Sequence, residues 1–289
     1  MPNIKKHKFN RQFSVVRLIV FVIFTVYAIT LMFPIVWGFI NSMLTRAEFN
    51  QMGVGVKLPS SFNLENYAKA WVELAANGIG LGEMLFNSIW YAGAGSVLLV
   101  LFSTMAAYVV AKYEFPGRKF VFTFNLGMMM IPVMGNMAAS IRFYKTLGAF
   151  DNLLWPVLSA GALGTAFVIM NATFKGVSWQ YAEAALIDGA GHFQIFWKVM
   201  VPQVVSPMVA LMVSQFITLW NDSMTPLIYM PGMPTLASGL YVYQIVTSRA
   251  LNYPMLFAAL LMCLIPVIIL FLIFQEKLMD IQLGGGLKG

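Results

Sequence analysis

The sequence has little of what most catalytic and metal sites are built from. Its 289 residues include one cysteine and two histidines, and only 10% of them are charged. The lone Cys263 excludes a disulfide framework or a CxxC site within the chain. His7 and His192 lie far apart without ligand-like neighbours, so we predict no metal site.

The shortage of charge accompanies a surplus of apolar residues, which make up 60% of the chain. A soluble domain carries about 25% charged residues, so this apolar surface needs lipid to cover it. The net charge is +7, but the basic residues stand at the ends of apolar runs. That distribution is typical of membrane proteins and argues against a nucleic-acid partner.

Six apolar segments are long enough to cross a bilayer, which takes about 20 residues each. Backbone groups in hydrocarbon must be satisfied within their own segment, so the sequence predicts an all-α, polytopic membrane protein with six transmembrane helices. Pro34, Pro132 and Pro266 are predicted to kink these helices rather than end them. The predicted spans are 17–40, 86–111, 119–138, 153–173, 207–229 and 256–275.

The basic residues also predict the orientation. The first apolar run is too long for a signal peptide and is read as an uncleaved span. With six spans both termini share a side, and twelve of the 18 Lys and Arg residues fall on that side, which predicts cytoplasmic termini. The predicted organisation is a cytoplasmic segment 1–16, a six-helix domain 17–275 with a cytoplasmic loop 174–206, and a cytoplasmic tail 276–289.

The loop 174–206 is a polar segment with two acidic residues, Glu183 and Asp188, between two long apolar runs. Residues 179–188 are predicted to form a helix, which Gly189 ends because glycine adopts a positive φ at low cost. A second helix, His192–Met200, is predicted to present Phe193, Phe196 and Trp197 outward until Pro202 stops it. An interfacial helix on lipid would be rich in Lys and Arg, so this acidic segment favours docking to a soluble partner.

Groups of residues along nearly the whole chain point to one family. They are Glu183-Ala-Ala-Leu-Ile-Asp-Gly-Ala190 with Phe196, Pro202 and Pro207, then Asn63–Tyr67, Asn87-Ser88, Ala106–Tyr108, Phe115–Arg118, Trp220–Asp222 and the tail Gly284–Gly289. The loop resembles the EAA loop of permease subunits of ATP-binding-cassette importers. Its Asp-Gly-Ala ending resembles the carbohydrate branch, and the tail resembles that of the six-helix maltose-type permease protein.

The resemblance implies a role for the loop as a coupling element in a groove of a partner ATPase. There Glu183 would pair with a basic residue, Gly189 would permit close backbone approach, and Lys288 of the tail would reach the same interface. The residues assigned to coupling are Glu183, Ala184, Ala185, Asp188, Gly189, Phe196 and Pro202. The implied partners are a second permease subunit, two copies of a cytoplasmic ATPase, an extracellular or periplasmic solute-binding protein, a sugar and membrane lipid.

The energy source is predicted to lie on another polypeptide. A P-loop requires G-x-x-x-x-G-K-[ST], and neither Gly-Lys-Ser nor Gly-Lys-Thr occurs in the chain. Gly-x-Ser-x-Gly and His-Glu-x-x-His are also absent. We therefore expect no enzyme activity and no cofactor in this chain, with ATP and Mg²⁺ on the partner ATPase, and a location in the bacterial or archaeal inner membrane.

Asp222 is the only acid well inside a predicted span, and ionisable groups at that depth are commonly functional. With Trp220 and Asn221 it would suit the ring faces and hydroxyls of a sugar, and Tyr229 and Asn171 are further candidates for the path. Alternatively, Asn221 and Asp222 bond to neighbouring backbone and shape a break in span 5. The competing function is a secondary transporter or channel acting without an ATPase, for which charge pairs or an inverted repeat would be expected.

Overall fold

The computed structural model describes residues 15–52, 58–131, 135–246 and 252–284, with side chains omitted for 52 and 276–284. Pro132 and Lys288 lie outside the described residues. The predicted all-α class is confirmed. The helices are α1 Val15–Ser42, α2 Arg46–Met52, α3 Glu65–Glu73, α4 Leu81–Lys112, α5 Arg118–Met130, α6 Met137–Thr146, α7 Trp155–Ser159, α8 Thr165–Gly176, α9 Gln180–Ile187, α10 His192–Ile195, a π-helix Phe196–Met200, α11 Val201–Gln203, α12 Val205–Trp220, α13 Met224–Tyr229, α14 Leu236–Val246 and α15 Tyr253–Gly284.

Three helices of the described chain are long and apolar enough to cross a membrane by themselves, namely α1, α4 and α15. The segment from His192 to Trp220 provides a fourth span if its two bent halves are counted together. In the predicted span 119–138, helix α5 ends at Met130 and α6 begins only at Met137, while the predicted span 153–173 contains α7 and most of α8. The number six therefore stays a prediction. Both α1 and α15 continue through Pro34 and Pro266, as expected.

A buried asparagine stabilises the break between α7 and α8. Gly164, which begins α8, has φ +130°, a conformation that side-chain-bearing residues rarely adopt. The Gly164 N–H donates to Asn125 Oδ1 at 2.7 Å, and Asn125 Nδ2 donates to the Gly164 carbonyl at 3.4 Å. The freed backbone groups are thus satisfied by protein, which is what permits an interruption at membrane depth.

The described chain forms two compact units, of which the first comprises parts of residues 1–67 and 252–261. In it, Thr45 and Glu48 form a capping box at the start of α2, with reciprocal bonds of 2.8 and 3.2 Å. Asn66 Nδ2 donates to the carbonyls of Ser42 and Leu44, both at 2.8 Å. The carbonyl of Ser42, the last residue of α1, and that of Leu44 just beyond it are thereby supplied with a donor.

The second unit comprises parts of residues 68–251 and 262–289 and is organised around α4, which contacts α7, α8, α12 and α14. Small residues on α4 permit these approaches. A Cβ added to Gly95 would lie 2.8 Å from Leu219 Cδ1, so the Leu219 side chain of α12 packs directly over the glycine and would have to move for a larger residue. Two-residue strands, β1 Ala75–Ala76 and β2 Ile79–Gly80, form a hairpin before α4 around an Asn-Gly turn with positive φ.

Candidate functional site

The segment predicted to couple to a partner is fastened to the end of α4. Tyr113, which follows α4, packs edge-on against Trp179 at 5.7 Å and contacts the His192 ring at 5.6 Å. Its hydroxyl also lies 2.9 Å from His192 Nδ1. The Lys112 ammonium donates to the carbonyl of Val177, just before α9. One helix end therefore holds the starts of both α9 and α10, a role for Tyr113 that the sequence did not reveal.

Helix α9 ends in a Schellman motif, which explains the Asp-Gly-Ala sequence. The N–H of Ala190 donates to the Ala185 carbonyl at 2.9 Å, and the N–H of Gly189 donates to the Leu186 carbonyl at 3.0 Å. Gly189 adopts φ +79°, and a Cβ added there would have no atom within 4 Å. Glycine is therefore required here by backbone conformation and not by crowding within this chain.

We expect Gly189→Ala to destabilise the end of α9 by about 1 kcal/mol, because an L-residue with a Cβ is strained at positive φ. Amide hydrogen exchange near the end of α9 should speed up by about fivefold. Gly191→Ala is the matched control, since Gly191 has φ −70° and open space at its Cβ position. Equal effects of the two substitutions would contradict the conformational explanation.

The two short helices leave a mixed apolar and acidic surface uncovered, which we call the coupling face. Ile187 is 87% exposed and Phe193 is 71% exposed. Uncovered aliphatic and aromatic side chains on a polar loop are typical of a binding surface. The coupling face consists of Tyr181, Glu183, Ala184, Leu186, Ile187, Asp188 and Phe193.

The opposite side of the segment belongs to the protein core. Ala182, Ile195 and Phe196 join one apolar cluster with residues of α4 and α8. Phe196 is 5% exposed, and its ring lies 5.0 Å from those of both Tyr108 and Trp197. The prediction that Phe196 faces outward is therefore wrong. Phe193 is exposed and Phe196 is buried, although both border one cavity beside the end of α4.

Pro202 does not end the second helix, contrary to the prediction. The backbone passes from the π-helix Phe196–Met200 into α11, where Pro202 takes an early position that needs no N–H donor. The direction changes only at Val204, where His192–Gln203 and α12 make an angle of 80°. Pro202 therefore lies inside the helical segment that precedes the bend, and the segment turns sharply into a membrane helix.

A second candidate site lies where the broken span meets α4. After α12 ends, the N–H of Thr225 donates to Asp222 Oδ1 at 3.0 Å and the Tyr91 hydroxyl donates to Asp222 Oδ2 at 3.0 Å. Asp222 thus satisfies the first turn of α13 and ties the break to α4. It also lines a cavity of about 200 Å³, which we call the α4–α12 cavity. The cavity is lined by Tyr91, Gly95, Leu99, Trp155, Pro156, Ser159, Ala160, Leu219, Asp222 and Thr225.

Aromatic rings form one wall of this region. Trp155 stacks on Tyr91 at 5.9 Å and on Tyr229 at 5.2 Å, and Tyr144 packs against both Trp155 and Tyr229. Burial, and then the proximity of Tyr229, raise the pKa of the Tyr144 phenol, so this hydroxyl stays protonated at neutral pH. The N–H of Asp151 donates to the Tyr229 carbonyl at 2.8 Å. The wall is therefore held by backbone as well as by ring contacts.

Of the five residues predicted for a substrate path, Asp222 alone lines the cavity. Tyr229 supports its wall, while Trp220 is buried against Phe216 at 5.5 Å and Asn221 bonds its own helix at Ile217. Asn171 is 1% exposed and donates to the Ala107 carbonyl at 3.3 Å, so it joins α8 to α4.

Sequence reasoning missed Tyr91, Trp155 and Ser159, because polar and aromatic residues at span ends are common in membrane helices. Within the described residues, no group of three His, Cys, Asp or Glu side chains could hold a metal ion.

These features define a class of protein: a polytopic helical membrane protein with a small polar cavity among its helices and a segment of short helices that exposes large apolar side chains. A crystal structure of a bacterial ABC transporter involved in the import of the acidic polysaccharide alginate shares the fold. The TM-score is 0.74 at 23% identity, over 96% of this chain and 99% of that chain. The predicted ABC-importer permease fold is thereby confirmed.

Sequence relatives lead to the same class. The diacetylchitobiose uptake system permease protein NgcG of Streptomyces coelicolor is 27% identical over 93% of this chain and 87% of its own length. The arabinooligosaccharides transport system permease protein AraQ of Bacillus subtilis is 26% identical over 96% and 98%. Residues 100–278 match the family of binding-protein-dependent transport system inner membrane components. The chain belongs to this family and is a permease subunit of an ABC importer.

Proposed function

We propose that this permease forms part of an ATP-driven importer of a sugar or oligosaccharide and is coupled to a separate ATPase through the coupling face. The observation that carries the proposal is the exposure of Ile187 and Phe193 on a segment whose other side is built into the core with α4 and α8. If the partner moves the coupling face, α4 and α8 must move with it, because the buried side of the segment is packed against them. Alternating access then follows from ATP-dependent movement of the partner.

The sugar is proposed from two lines of support. The relatives NgcG and AraQ are permease proteins for diacetylchitobiose and for arabinooligosaccharides. The α4–α12 cavity offers carboxyl and hydroxyl groups among aromatic rings, which suits a neutral, hydroxylated solute. Asp222 would thus both shape the break and border the substrate path.

The assembly proposed around this chain has a second permease subunit, two copies of a cytoplasmic ATPase that bind ATP and Mg²⁺, and a solute-binding protein outside the cell. Helix α1 supports this assembly, because none of the eighteen residues in its most apolar stretch is buried within this chain, so its apolar surface must be covered by something else. Lipid and the second permease would cover it.

We place both termini in the cytoplasm of the cell that holds this inner-membrane protein. Lys175 and Lys198 then fall on the cytoplasmic side with the coupling face, as does the cluster Lys112, Arg118 and Lys119. Lys175 lies 4.9 Å from the centre of the Phe122 ring, which anchors this end of α8 next to α5. To test the orientation, a cysteine introduced in the connection 147–154 between α6 and α7 should be labelled from outside the cell, and labelling only after the membrane is opened would contradict it.

Reversing the charge of Glu183 tests coupling. Glu183 is exposed on α9, and we expect Glu183→Lys to reduce ATPase co-purification and sugar uptake by about tenfold, because a lysine would face the basic residue proposed on the partner. Membrane insertion, followed by protease protection, should not change. Normal uptake and co-purification in this variant would contradict the coupling role, and uptake without any ATPase would favour a secondary transporter.

A further inference from the structure

Helix α5 has an apolar side that the described part of the chain leaves uncovered. Phe120, Phe124 and Met128 are each between 47% and 69% exposed. Residues four apart lie above one another on a helix, so the three side chains form one stripe, which we call the α5 stripe. The rings of Phe120 and Phe124 stack with their centroids 5.7 Å apart. The stripe extends for roughly 12 Å along the helix, at about 1.5 Å per residue.

A groove of about 450 Å³ begins at the first residues of α5, and we call it the basic groove. The residues that line it are Glu114, Phe115, Gly117, Arg118, Lys119 and Phe120. Since Phe120 also begins the α5 stripe, the groove and the stripe are continuous. A ligand that occupies the groove can therefore extend along the helix and stay in contact with the protein.

Positive charge predominates around the basic groove. Arg118 and Lys119 line it, while Glu114 is the one carboxylate among the described residues of its lining. Lys175 of α8 adds a third cation, because its ammonium lies 4.9 Å from the centre of a phenylalanine ring of α5. Arg118 Nη1 donates to the Tyr113 carbonyl at 3.4 Å, which uses one of the five N–H groups of a guanidinium. The other N–H groups remain for an acidic ligand.

The basic groove lies at a membrane surface, and the α5 stripe runs inward from it. Helix α4 is long enough to cross the bilayer, and its last residue, Lys112, donates to the connection just after α8, so both helices end at this surface. Phe122 packs against Phe167 of α8 with the ring centres 6.2 Å apart. Asn125 is three residues further along α5 and bonds to Gly164, three residues before Phe167. Helix α5 therefore runs antiparallel to α8, from the level of the lipid headgroups toward the acyl chains.

Charge and shape together select the ligand. A small anion would meet the cations but leave the α5 stripe uncovered, whereas an apolar helix of another subunit would cover the stripe but leave the cations unpaired. An acidic phospholipid meets both requirements, since its phosphate faces the cations and an acyl chain covers the apolar side chains. Basic pockets beside membrane helices bind anionic headgroups, and each Lys or Arg near such lipids contributes about fivefold in affinity.

We propose that the basic groove and the α5 stripe form a binding site for one acidic phospholipid. Arg118 and Lys119 bind its phosphate, and an acyl chain lies along Phe120, Phe124 and Met128. The site shares no residue with the α4–α12 cavity or with the coupling face. It is therefore independent of which solute the importer carries.

The combined substitution Arg118→Gln and Lys119→Gln tests the site, because it removes both charges and keeps polar side chains. Phosphatidylglycerol is titrated onto the purified importer in detergent, and bound lipid is measured by native mass spectrometry. We expect the affinity of the tightest site to fall about 30-fold, the product of about fivefold for each charge. Phosphatidylcholine with the same acyl chains should bind wild type and variant equally, and glycerol 3-phosphate, which has no acyl chain, should bind neither.

Arg142→Gln with Lys145→Gln is the matched control, since it removes two exposed charges of α6 that do not line the groove. The affinity of this control for phosphatidylglycerol should stay within about twofold of wild type, because attraction to acidic lipid decays within a short distance. Equal losses in the two charge variants would show only a general attraction and would overturn the site. An unchanged affinity without Arg118 and Lys119, or a wild type that binds both phospholipids equally, would overturn it as well.

Phe120→Trp with Phe124→Trp tests whether protein covers the α5 stripe instead. A fluid acyl chain adapts to larger rings, whereas a packed subunit interface is disturbed by added volume. We expect this variant to keep the second permease subunit during purification and to bind phosphatidylglycerol within about threefold of wild type. Dissociation of the second permease subunit would show that the stripe is a protein interface and would overturn the proposal.

Discussion

Ile187→Asp should abolish productive assembly with the ATPase while leaving the permease folded. Ile187 is the most exposed large apolar residue of the coupling face, at 87%. Burying an isoleucine in a partner groove contributes about 1.5–3 kcal/mol, and an aspartate would additionally have to be desolvated there. We expect ATPase binding to weaken by at least about 100-fold, measured by titrating the purified ATPase onto the permease complex in nanodiscs.

Ile187→Met is the control for this experiment. It keeps an apolar side chain of similar volume, so the binding constant should stay within about threefold of wild type. Thermal unfolding of the permease without ATPase should be the same for both variants, because Ile187 is exposed in the chain by itself. Unimpaired binding of the Ile187→Asp protein would show that the partner does not cover the coupling face.

Phe196→Ala should have the opposite profile, with a large loss of stability in the permease alone. Phe196 is almost fully buried and its ring contacts Tyr108 of α4 and the adjacent Trp197. Truncation of a buried phenylalanine typically costs about 3–5 kcal/mol, because contacts are lost and a cavity remains. We expect a lower unfolding temperature in detergent and loss of sugar uptake, even if the ATPase is supplied in excess.

Phe193→Ala provides a comparison of the same substitution three residues away. Phe193 is largely exposed, so its removal should leave the unfolding temperature unchanged and weaken only the binding of the ATPase. Equal destabilisation by the two alanine variants would contradict the division of the segment into a docked side and a buried side. Loss of ATPase binding in Phe196→Ala without loss of stability would place its ring at the partner after all.

The same pair of residues shows how far sequence reasoning reached. The apolar character, the acids and the Gly189 break predict two short helices beside a membrane span, and α9 and α10 lie where expected. Periodicity alone cannot tell that Phe193 is exposed and Phe196 buried, because that difference depends on how the segment packs against α4 and α8.

For the membrane helices, sequence-based prediction succeeds for continuous helices and fails at their interruptions. Long apolar runs predict α1, α4 and α15 well, since each is a continuous helix. Breaks within the apolar segments are harder to predict from sequence, because the residue that satisfies the freed backbone groups is distant in the chain. Asn125, for example, accepts a hydrogen bond from the Gly164 N–H. Asn171 looked equally polar, yet it is used to join α8 to α4 and does not line the cavity.

The sequence by itself determined the all-helical membrane class, the family resemblance and the position of the loop that holds α9 and α10. These follow from local properties: the length of apolar runs, the distribution of Lys and Arg, and a turn that needs glycine at positive φ. Only the tertiary structure decided which side of that loop is exposed and that Asp222 meets Tyr91 and Trp155 at one cavity. Those relations join residues more than sixty positions apart, and helix packing, not local preference, sets them.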